Sequence, residues 1–159
     1  MSLFDVPKVQ QKITLHLEKS VRSEGLIFLE YFPEEWPVHK KISAFLEEER
    51  AFFPFLLTGT NVTELINKNN LYMVEIANPD ESQSLPDGLA PIDFITAVFN
   101  GTDTAVSGEL MAETTAERSR PSDCLNLDNR FICVRAAKKT FYINKGMLQK
   151  VTPRARPQA

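Results

Sequence analysis

The sequence predicts a mainly β protein with short helices, built from two tandem small β-barrels or curled sheets related by a pseudo-twofold axis. Three observations predict this fold class. Short segments with strand periodicity recur along the 159 residues, clusters of Gly, Pro, Asn and Asp separate them, and the same order of segments occurs twice. We expect a first unit over residues 12–76, a linker over 77–93, a second unit over 94–153, and tails at 1–11 and 154–159.

The first unit is predicted to contain five strands and one helix. Apolar residues alternate with polar ones over residues 12–18, which is typical of a half-buried strand. Ile42, Phe45 and Leu46 have the i, i+3, i+4 spacing of an amphipathic helix. The predicted helix covers residues 39–50, and the predicted strands cover residues 12–18, 25–32, 52–57, 62–66 and 71–76. The last two strands are predicted to form a hairpin around the Asn- and Lys-containing turn at 67–70.

The second unit repeats this plan after the linker, in which Pro, Ser, Asp and Gly are concentrated. A tight turn is predicted at residues 100–103. A helical turn is predicted to begin at Pro121, where the missing N–H costs nothing. The turn at 144–146 predicts a closing hairpin. The predicted strands cover residues 95–99, 106–112, 131–135, 140–143 and 147–151, and the helical turn covers 121–125.

The two units also align residue by residue. Residues 41–55 align without gaps with residues 120–134 at an offset of 79, and residues 63–76 align with 140–153 at an offset of 77. In the second pair six of fourteen positions are identical, and they are Thr63, Ile66, Asn67, Lys68, Leu71 and Val74. This recurrence predicts two diverged copies of one unit. A unit of about 60 residues is marginal alone, so we expect the copies either to close a shared core or to pack as a pseudo-twofold pair.

The second copy contains a Gly-containing strand around Gly108, an Arg-x-Ser-Asp-x-Leu-Asn segment at residues 120–126, and a predicted closing hairpin at Asn144 and Lys145. In this combination it resembles an uncharacterised bacterial domain family of unknown function. The resemblance implies no assigned activity. The first copy keeps only part of the pattern, because Ala44 replaces the Asp.

A looser similarity links the second copy to Sm-like and SH3-like small barrels. Gly146, Leu148 and Val151 partly fit the ending of Sm-like sequences. That resemblance implies RNA binding through loop residues, and the equivalent loops here are residues 123–126 and 144–146.

Composition and charge narrow the functional classes. Hydrophobic residues make up 43% and charged residues 25% of the chain, which is typical of a globular protein. No apolar run approaches the length of a membrane span, and residues 1–11 lack the pattern of a signal peptide, so we expect a cytoplasmic protein with no membrane partner. Cys124 and Cys133 are then expected to be reduced.

The charge is divided unevenly between the two copies. Residues 114–159 contain ten Lys and Arg against three Asp and Glu, which gives +7, so residues 1–113 carry −10 of the net −3. This asymmetry indicates either a nucleic-acid surface on the second copy or electrostatic attraction between two unlike halves.

Six polar residues of the second copy are candidates for a binding surface: Arg118, Arg120, Asp123, Asn126, Asn144 and Lys145. The arginines would supply forked donors to a partner or an anion, and in the Sm-like interpretation the turn lysine would contact phosphate. A local interpretation is also open. In it Ser122 or Asp123 caps a helical turn, Arg120 pairs locally and Asn126 ends the turn.

The sequence contains no recognisable catalytic or metal-ligating constellation. Ser43 and Ser122 lack a nearby base, the two histidines pair with no carboxylate motif, and no Gly-rich phosphate loop is present. We therefore expect a non-enzymatic protein-binding or scaffold module without a cofactor. Its expected partner is another protein, and a homo-oligomer is one option. The alternatives are RNA binding by the second copy and an enzyme with an unrecognised site between the copies.

Overall fold

The computed structural model of the chain describes residues 10–17, 21–29, 32–78, 89–101, 104–112 and 120–155. These residues confirm the mainly β prediction. The helices are α1 (Val38–Glu47) and α2 (Pro121–Leu125), with 3₁₀ helices at Lys68–Asn70 and Lys145–Met147. The strands are β1 (Gln10–His16), β2 (Arg22–Phe28), β3 (Phe52–Leu57), β4 (Thr63–Asn67), β5 (Met73–Ala77), β6 (Ala90–Phe99), β7 (Ala105–Ala112), β8 (Phe131–Arg135), β9 (Lys139–Asn144) and β10 (Leu148–Pro153).

All ten strands belong to one antiparallel sheet with the order β10-β6-β7-β8-β9-β5-β1-β2-β3-β4. The first five strands thus have the order β5-β1-β2-β3-β4, and the last five have the equivalent order β10-β6-β7-β8-β9. The two halves are joined where β9 pairs with β5. The sheet does not close on itself, so β4 and β10 are its two edge strands.

Strand register is also the same in the two halves. β3 pairs with β4 from Phe52 opposite Asn67 to Leu56 opposite Thr63. β8 pairs with β9 from Phe131 opposite Asn144 to Arg135 opposite Thr140. The sequence offsets of 79 and 77 convert every pair of the first set into a pair of the second. Aligned residues therefore occupy equivalent places in the two halves.

The two predicted Asn-Lys hairpins are wrong. β4 and β5 are not neighbours in the sheet, nor are β9 and β10. In each half an Asn side chain caps a 3₁₀ helix instead: Asn67 Oδ1 accepts a hydrogen bond from Asn69 N at 3.0 Å, and Asn144 Oδ1 accepts one from Gly146 N at 3.0 Å. The 3₁₀ turn carries the chain away from the strand it leaves, so β5 pairs with β1 and β9, and β10 pairs with β6.

The other predicted elements agree with the structure to within a few residues. The strands at 52–57 and 131–135 and the helix at 121–125 have the predicted bounds. In the predicted turn at 100–103, Gly101 has the left-handed φ of +66°. β6 begins at Ala90, inside the predicted linker. Most of that linker (79–88), much of both tails and the candidate Arg118 lie outside the described residues.

Two glycines allow the strands to approach closely in equivalent places. A Cβ on Gly25 of β2 would overlap the Phe55 ring and the Leu56 carbonyl oxygen. A Cβ on Gly108 of β7 would lie 2.7 Å from the Arg135 carbonyl oxygen. Both positions therefore require a residue without a side chain.

The core consists of two hydrophobic clusters, and each contains residues from both halves. The first cluster is formed mainly by β1–β5 and α1, but Phe131, Cys133 and Tyr142 of the second half belong to it. The second cluster is formed mainly by β6–β10 and α2, but Met73 of β5 belongs to it. The β5–β9 junction is therefore packed on both faces of the sheet.

Candidate functional site

The exposed side of α2 carries three of the sequence-predicted site residues. Arg120 precedes the helix, and its guanidinium lies 3.3 Å from the Asp123 carboxylate. Asn126 ends the helix, and its side-chain amide donates to the Ser122 carbonyl oxygen at 2.7 Å. The local pairing of Arg120 and the position of Asn126 at the end of the turn agree with the local interpretation. The cap expected from Ser122 or Asp123 is not formed, because Arg120 holds the N-cap position and no side-chain hydrogen bond caps the helix there.

Asn144 is buried at the junction between the halves. Its side-chain amide donates to the Leu71 carbonyl oxygen at 2.9 Å, and its backbone N–H donates to the Tyr72 carbonyl oxygen at 3.0 Å. Both bonds connect the second half to the segment that leads into β5. This buried residue is separated from the exposed face of α2.

Lys145 binds the carboxyl end of α2 and the segment after it. Its ammonium donates to the carbonyl oxygens of Leu125 at 3.2 Å and Leu127 at 2.6 Å, and to Asn129 Oδ1 at 3.2 Å. Three donors thus meet three acceptors of the same chain. Burial lowers the pKa of Lys145, although the negative charges of Glu47 and Asp128 oppose that shift.

Lys68 makes the equivalent contact in the first half. Its side chain is 1% exposed, and its ammonium donates to the Phe45 carbonyl oxygen at 2.7 Å and the Glu48 carbonyl oxygen at 3.3 Å. Burial lowers its pKa as well. Cations commonly satisfy the free carbonyls at a helix C-terminus. The recurrence of Lys at aligned positions was the signal for this role, which sequence reasoning missed.

A charged cluster lies across the junction on the β1, β5 and β9 side of the sheet. The Glu75 carboxylate lies 2.9 Å from Lys139 Nζ, 3.1 Å from His16 Nε2 and 3.5 Å from Arg22. Burial alone would raise the pKa of Glu75, but hydrogen bonds from Lys139 and His16 hold it below its usual value. Burial also lowers the pKa of His16. The cluster fixes the contact between β5 and β9.

A cavity of about 290 Å³ lies between α1 and the β7–β8 surface. Cys124, Cys133 and Tyr142 line it, and the Tyr142 hydroxyl shares a hydrogen bond with His39 Nδ1. Burial raises the pKa of Cys133 to about 12, so its thiol is protonated at neutral pH and is not an activated nucleophile. Among the described residues, no group of three His, Cys, Asp or Glu side chains could hold a metal ion.

Glu47 connects α1 to the second half beside this cavity. Its carboxylate accepts hydrogen bonds from the backbone N–H groups of Arg130 at 2.8 Å and Phe131 at 3.0 Å. This contact could not be predicted from the sequence, because Glu47 and Arg130 are 83 residues apart.

The surface at the opposite end of the sheet from β10 is apolar, and we define it as the edge patch: Phe52, Pro54 and Leu65. Leu65 in β4 lies opposite Pro54 in β3, and Phe52 is on the same face two residues before Pro54. Leu65 is 69% exposed and Phe52 is 53% exposed. Phe52 and Leu65 of the patch also line an open groove of about 550 Å³, together with Tyr72 and Met147.

No protein-family model, no curated protein and no solved structure matches the chain. The resemblance to an uncharacterised bacterial domain family therefore stays a prediction, as does the cytoplasmic location. In the part of the chain that the structure describes, neither helix is long and apolar enough to cross a membrane.

Proposed function

We propose that this protein is a non-enzymatic protein-binding module that adds a strand of its partner to the β4 edge. The observation that carries the proposal is the exposed Leu65 on a strand whose neighbour, among the described residues, is β3 alone. An edge strand offers a row of backbone N–H and C=O groups to an incoming strand, and side chains at alternate positions provide specificity. Three of the large hydrophobic residues that are exposed in the described part of the chain, Phe52, Val62 and Leu65, lie in or directly before β3 and β4.

The proposal includes the organisation of the chain as two diverged copies of one SH3-like or Sm-like small-barrel unit. Support comes from the equivalent strand orders, from the matching register of β3–β4 and β8–β9, and from the equivalent contacts of Lys68 and Lys145. Three independent features, which are topology, register and a buried polar contact, agree on the same residue correspondence.

Two alternatives have less support. An enzyme with a site between the halves would use the cavity beside Tyr142, but the Cys133 thiol there is protonated at neutral pH. RNA binding by the basic half would use Lys145, but three acceptors of the same chain already surround its ammonium. The RNA alternative is tested by measuring binding to single-stranded RNA over a salt series. Tight binding that weakens steeply with salt would favour it over the present proposal.

The proposal is tested by photo-crosslinking in cells that produce the full chain. A photoreactive amino acid is placed at position 65, and a matched control is placed at position 21, because Val21 is also an exposed apolar residue but lies directly before β2. We expect a crosslinked protein from position 65 and none from position 21. The purified partner should bind the wild-type chain and the Val21→Lys variant but not Leu65→Lys. Equal crosslinking from both positions, or none from position 65, would contradict the proposal.

A further inference from the structure

The pairing of β5 with β9 inside the chain is an example of the contact that the free edge strands β4 and β10 could make. At the internal junction, β9 of the second half pairs antiparallel with β5 of the first half, with Tyr142 opposite Val74 and Phe141 opposite Glu75. This is a heterologous contact, because the two strands come from different positions in their halves.

The two free edge strands are the counterparts of the two strands in this junction. The offset of 77 relates β9 to β4 and β5 to β10, and the common register of the β3–β4 and β8–β9 pairs supports the same correspondence. β4 and β10 are also the two ends of the strand order. If the internal contact were repeated once more, it would therefore use β4 and β10, the two strands with a free edge.

The edge patch consists of residues whose counterparts are covered at the internal junction. Phe52, at 53% exposure, corresponds to Phe131, at 6%, and Leu65, at 69%, corresponds to Tyr142, at 2%. Pro54 corresponds to Cys133, which is also buried. These three counterparts belong to the hydrophobic cluster of the first half, on which β9 docks. The patch thus has the position and the apolar character of a surface that a neighbouring half covers.

The geometry points to a second copy of this chain as the partner at the edge patch, with β4 of one chain paired antiparallel to β10 of the next. This inference rests on the proposed function and names its partner. The internal register places Leu65 opposite Val151 and Glu64 opposite Thr152. Pro153 has no N–H to donate, so the contact lacks a backbone donor that Ile76 has at the counterpart position of the internal junction. Because the contact joins separate chains, assembly depends on concentration by mass action.

Charge agrees with the same pairing, although the internal ion pair itself is not repeated. At the internal junction the Glu75 carboxylate lies 2.9 Å from Lys139 of the other strand, and the offset of 77 makes the uncharged Thr152 and Val62 their counterparts. In the contact between chains, Glu64 of β4 is the acidic residue, and Lys150 and Arg154 flank its partner on the other strand. The first unit (12–76) has seven Lys and Arg against ten Asp and Glu, a net charge of −3, and the second unit (94–153) has eight against six, a net charge of +2. The head-to-tail orientation therefore brings units of opposite net charge together.

Asn126, a site residue predicted from the sequence, lies at the end of α2 and is also placed at the inferred contact. Glu47 of α1 accepts hydrogen bonds from the N–H groups of Arg130 and Phe131. The offset of 79 makes Asn126 the counterpart of Glu47, and the counterparts of the two donors are Ala51 and Phe52. In the single chain the side chain of Asn126 is exposed. Its side-chain carbonyl then faces the start of β3 on the neighbouring chain.

The first test is the mass of the purified full chain by sedimentation velocity over a wide range of concentration. We expect 18.0 kDa at the lowest concentrations and dimers or larger assemblies as the concentration rises. Leu65→Lys should weaken self-association by more than about tenfold, whereas Val21→Lys should not change it. A wild-type chain that stays monomeric at every concentration would overturn the inference.

A mixing experiment tests whether the contact is head-to-tail. Leu65→Lys disables β4 and leaves β10 intact, and Val151→Lys disables β10 and leaves β4 intact. Each variant alone should be monomeric, and an equal mixture should form dimers that grow no further. If Val151→Lys associates alone while Leu65→Lys does not, β4 pairs with itself and the inference is wrong. Far-UV circular dichroism and thermal melting confirm that the half-buried Val151 position tolerates the substitution.

The register is tested by disulfide formation between Glu64→Cys and Thr152→Cys chains, which leave β4 and β10 otherwise unchanged. These positions face each other in the inferred register, so a disulfide should form between the two variants under mild oxidation. The matched control pairs Glu64→Cys with Lys150→Cys, two residues away along the strand. Equal crosslinking of both combinations, or none of the first, would contradict the register.

The crosslinking experiment at position 65 separates this inference from the proposed function. If the captured protein is the chain itself, both are supported. If it is a different protein that requires Leu65, the proposed function stands and the inference about the partner fails. If nothing is captured and the chain is monomeric, both fail.

Discussion

Replacement of Lys68 by Met tests whether the paired lysines are structural. Methionine has nearly the length and volume of the lysine stem but no donor. In the variant the carbonyl oxygens of Phe45 and Glu48 lose their common partner. The Lys68 ammonium also lies 5.1 Å from the centre of the Phe45 ring, so a cation–π contact is lost with the hydrogen bonds.

The expected loss follows from two opposing effects. Hydrogen bonds to a charged group contribute about 1.5–3 kcal/mol, and a buried acceptor left without a partner costs about 1–3 kcal/mol. Against this, the variant no longer buries an ammonium, which costs several kcal/mol in a low-dielectric site. We expect Lys68→Met to lower the free energy of unfolding by about 2–3 kcal/mol. Lys145→Met should lower it by about 1–2 kcal/mol, because Lys145 is more exposed and water can replace part of its contacts.

Urea denaturation monitored by circular dichroism measures these differences, with the linear dependence on denaturant giving the free energy of unfolding. Lys138→Met is the matched control, because that side chain is exposed in the turn between β8 and β9, and its loss should change stability by less than about 0.5 kcal/mol. If Lys68→Met is as stable as the wild-type chain, the structural role is refuted. If Lys145→Met is fully stable but loses RNA binding, its role in binding phosphate is restored.

Three further predictions concern the junction and the core. Because the pKa of Glu75 is lowered in the folded state, its ion contacts stabilise the fold above its usual pKa of 4.5 and are lost as the pH falls through the lowered value. The stability difference between wild type and Glu75→Gln should therefore be present above pH 4.5 and shrink as the pH falls below it; a constant difference would contradict this. Gly25→Ala and Gly108→Ala should each cost about 1–3 kcal/mol by overpacking, measured by thermal melting, and a neutral effect at both would refute the close approach. Cys124 and Cys133 are buried, so a thiol reagent should modify them only as fast as the protein unfolds, and rapid labelling of the native chain would contradict that.

The strands and helices could be predicted from the sequence because local patterns determine them. The alternation in β1, the apolar run of β3 and the Pro at the start of α2 are each read within a few residues. The correspondence of Lys41 with Arg120 and of Thr63 with Thr140 was also visible from the sequence. The structure adds the register in which those aligned segments pair.

The hairpins and the role of Lys145 could not be predicted, because both depend on contacts that are distant in sequence. A turn containing Asn and Gly fits a hairpin as well as a capped 3₁₀ helix. The choice between the two depends on distant strand pairing, because β5 pairs with β1 and β9 and not with β4. In the same way, the lysine of a turn is usually solvated, and it becomes a buried donor only where the end of a helix lies within reach.

The exposed Leu65 is best understood from what the two edge strands lack. Natural sheets protect a free edge with charged residues, especially Lys, or with a proline that points outward. β10 has both, in Lys150 and Pro153, whereas β4 has one charged residue, Glu64, and a large apolar one beside it. The inferred contact between chains therefore joins an unprotected edge to a partly protected one, which weakens it relative to the internal junction. If β4 were only a solvent-facing edge, replacement of Leu65 by a lysine would improve solubility and change nothing else. If β4 is an interface, the same substitution removes association while the free energy of unfolding of the isolated chain stays unchanged, because a side chain that is 69% exposed contributes little to the core. The one variant therefore distinguishes an unprotected edge from a functional one.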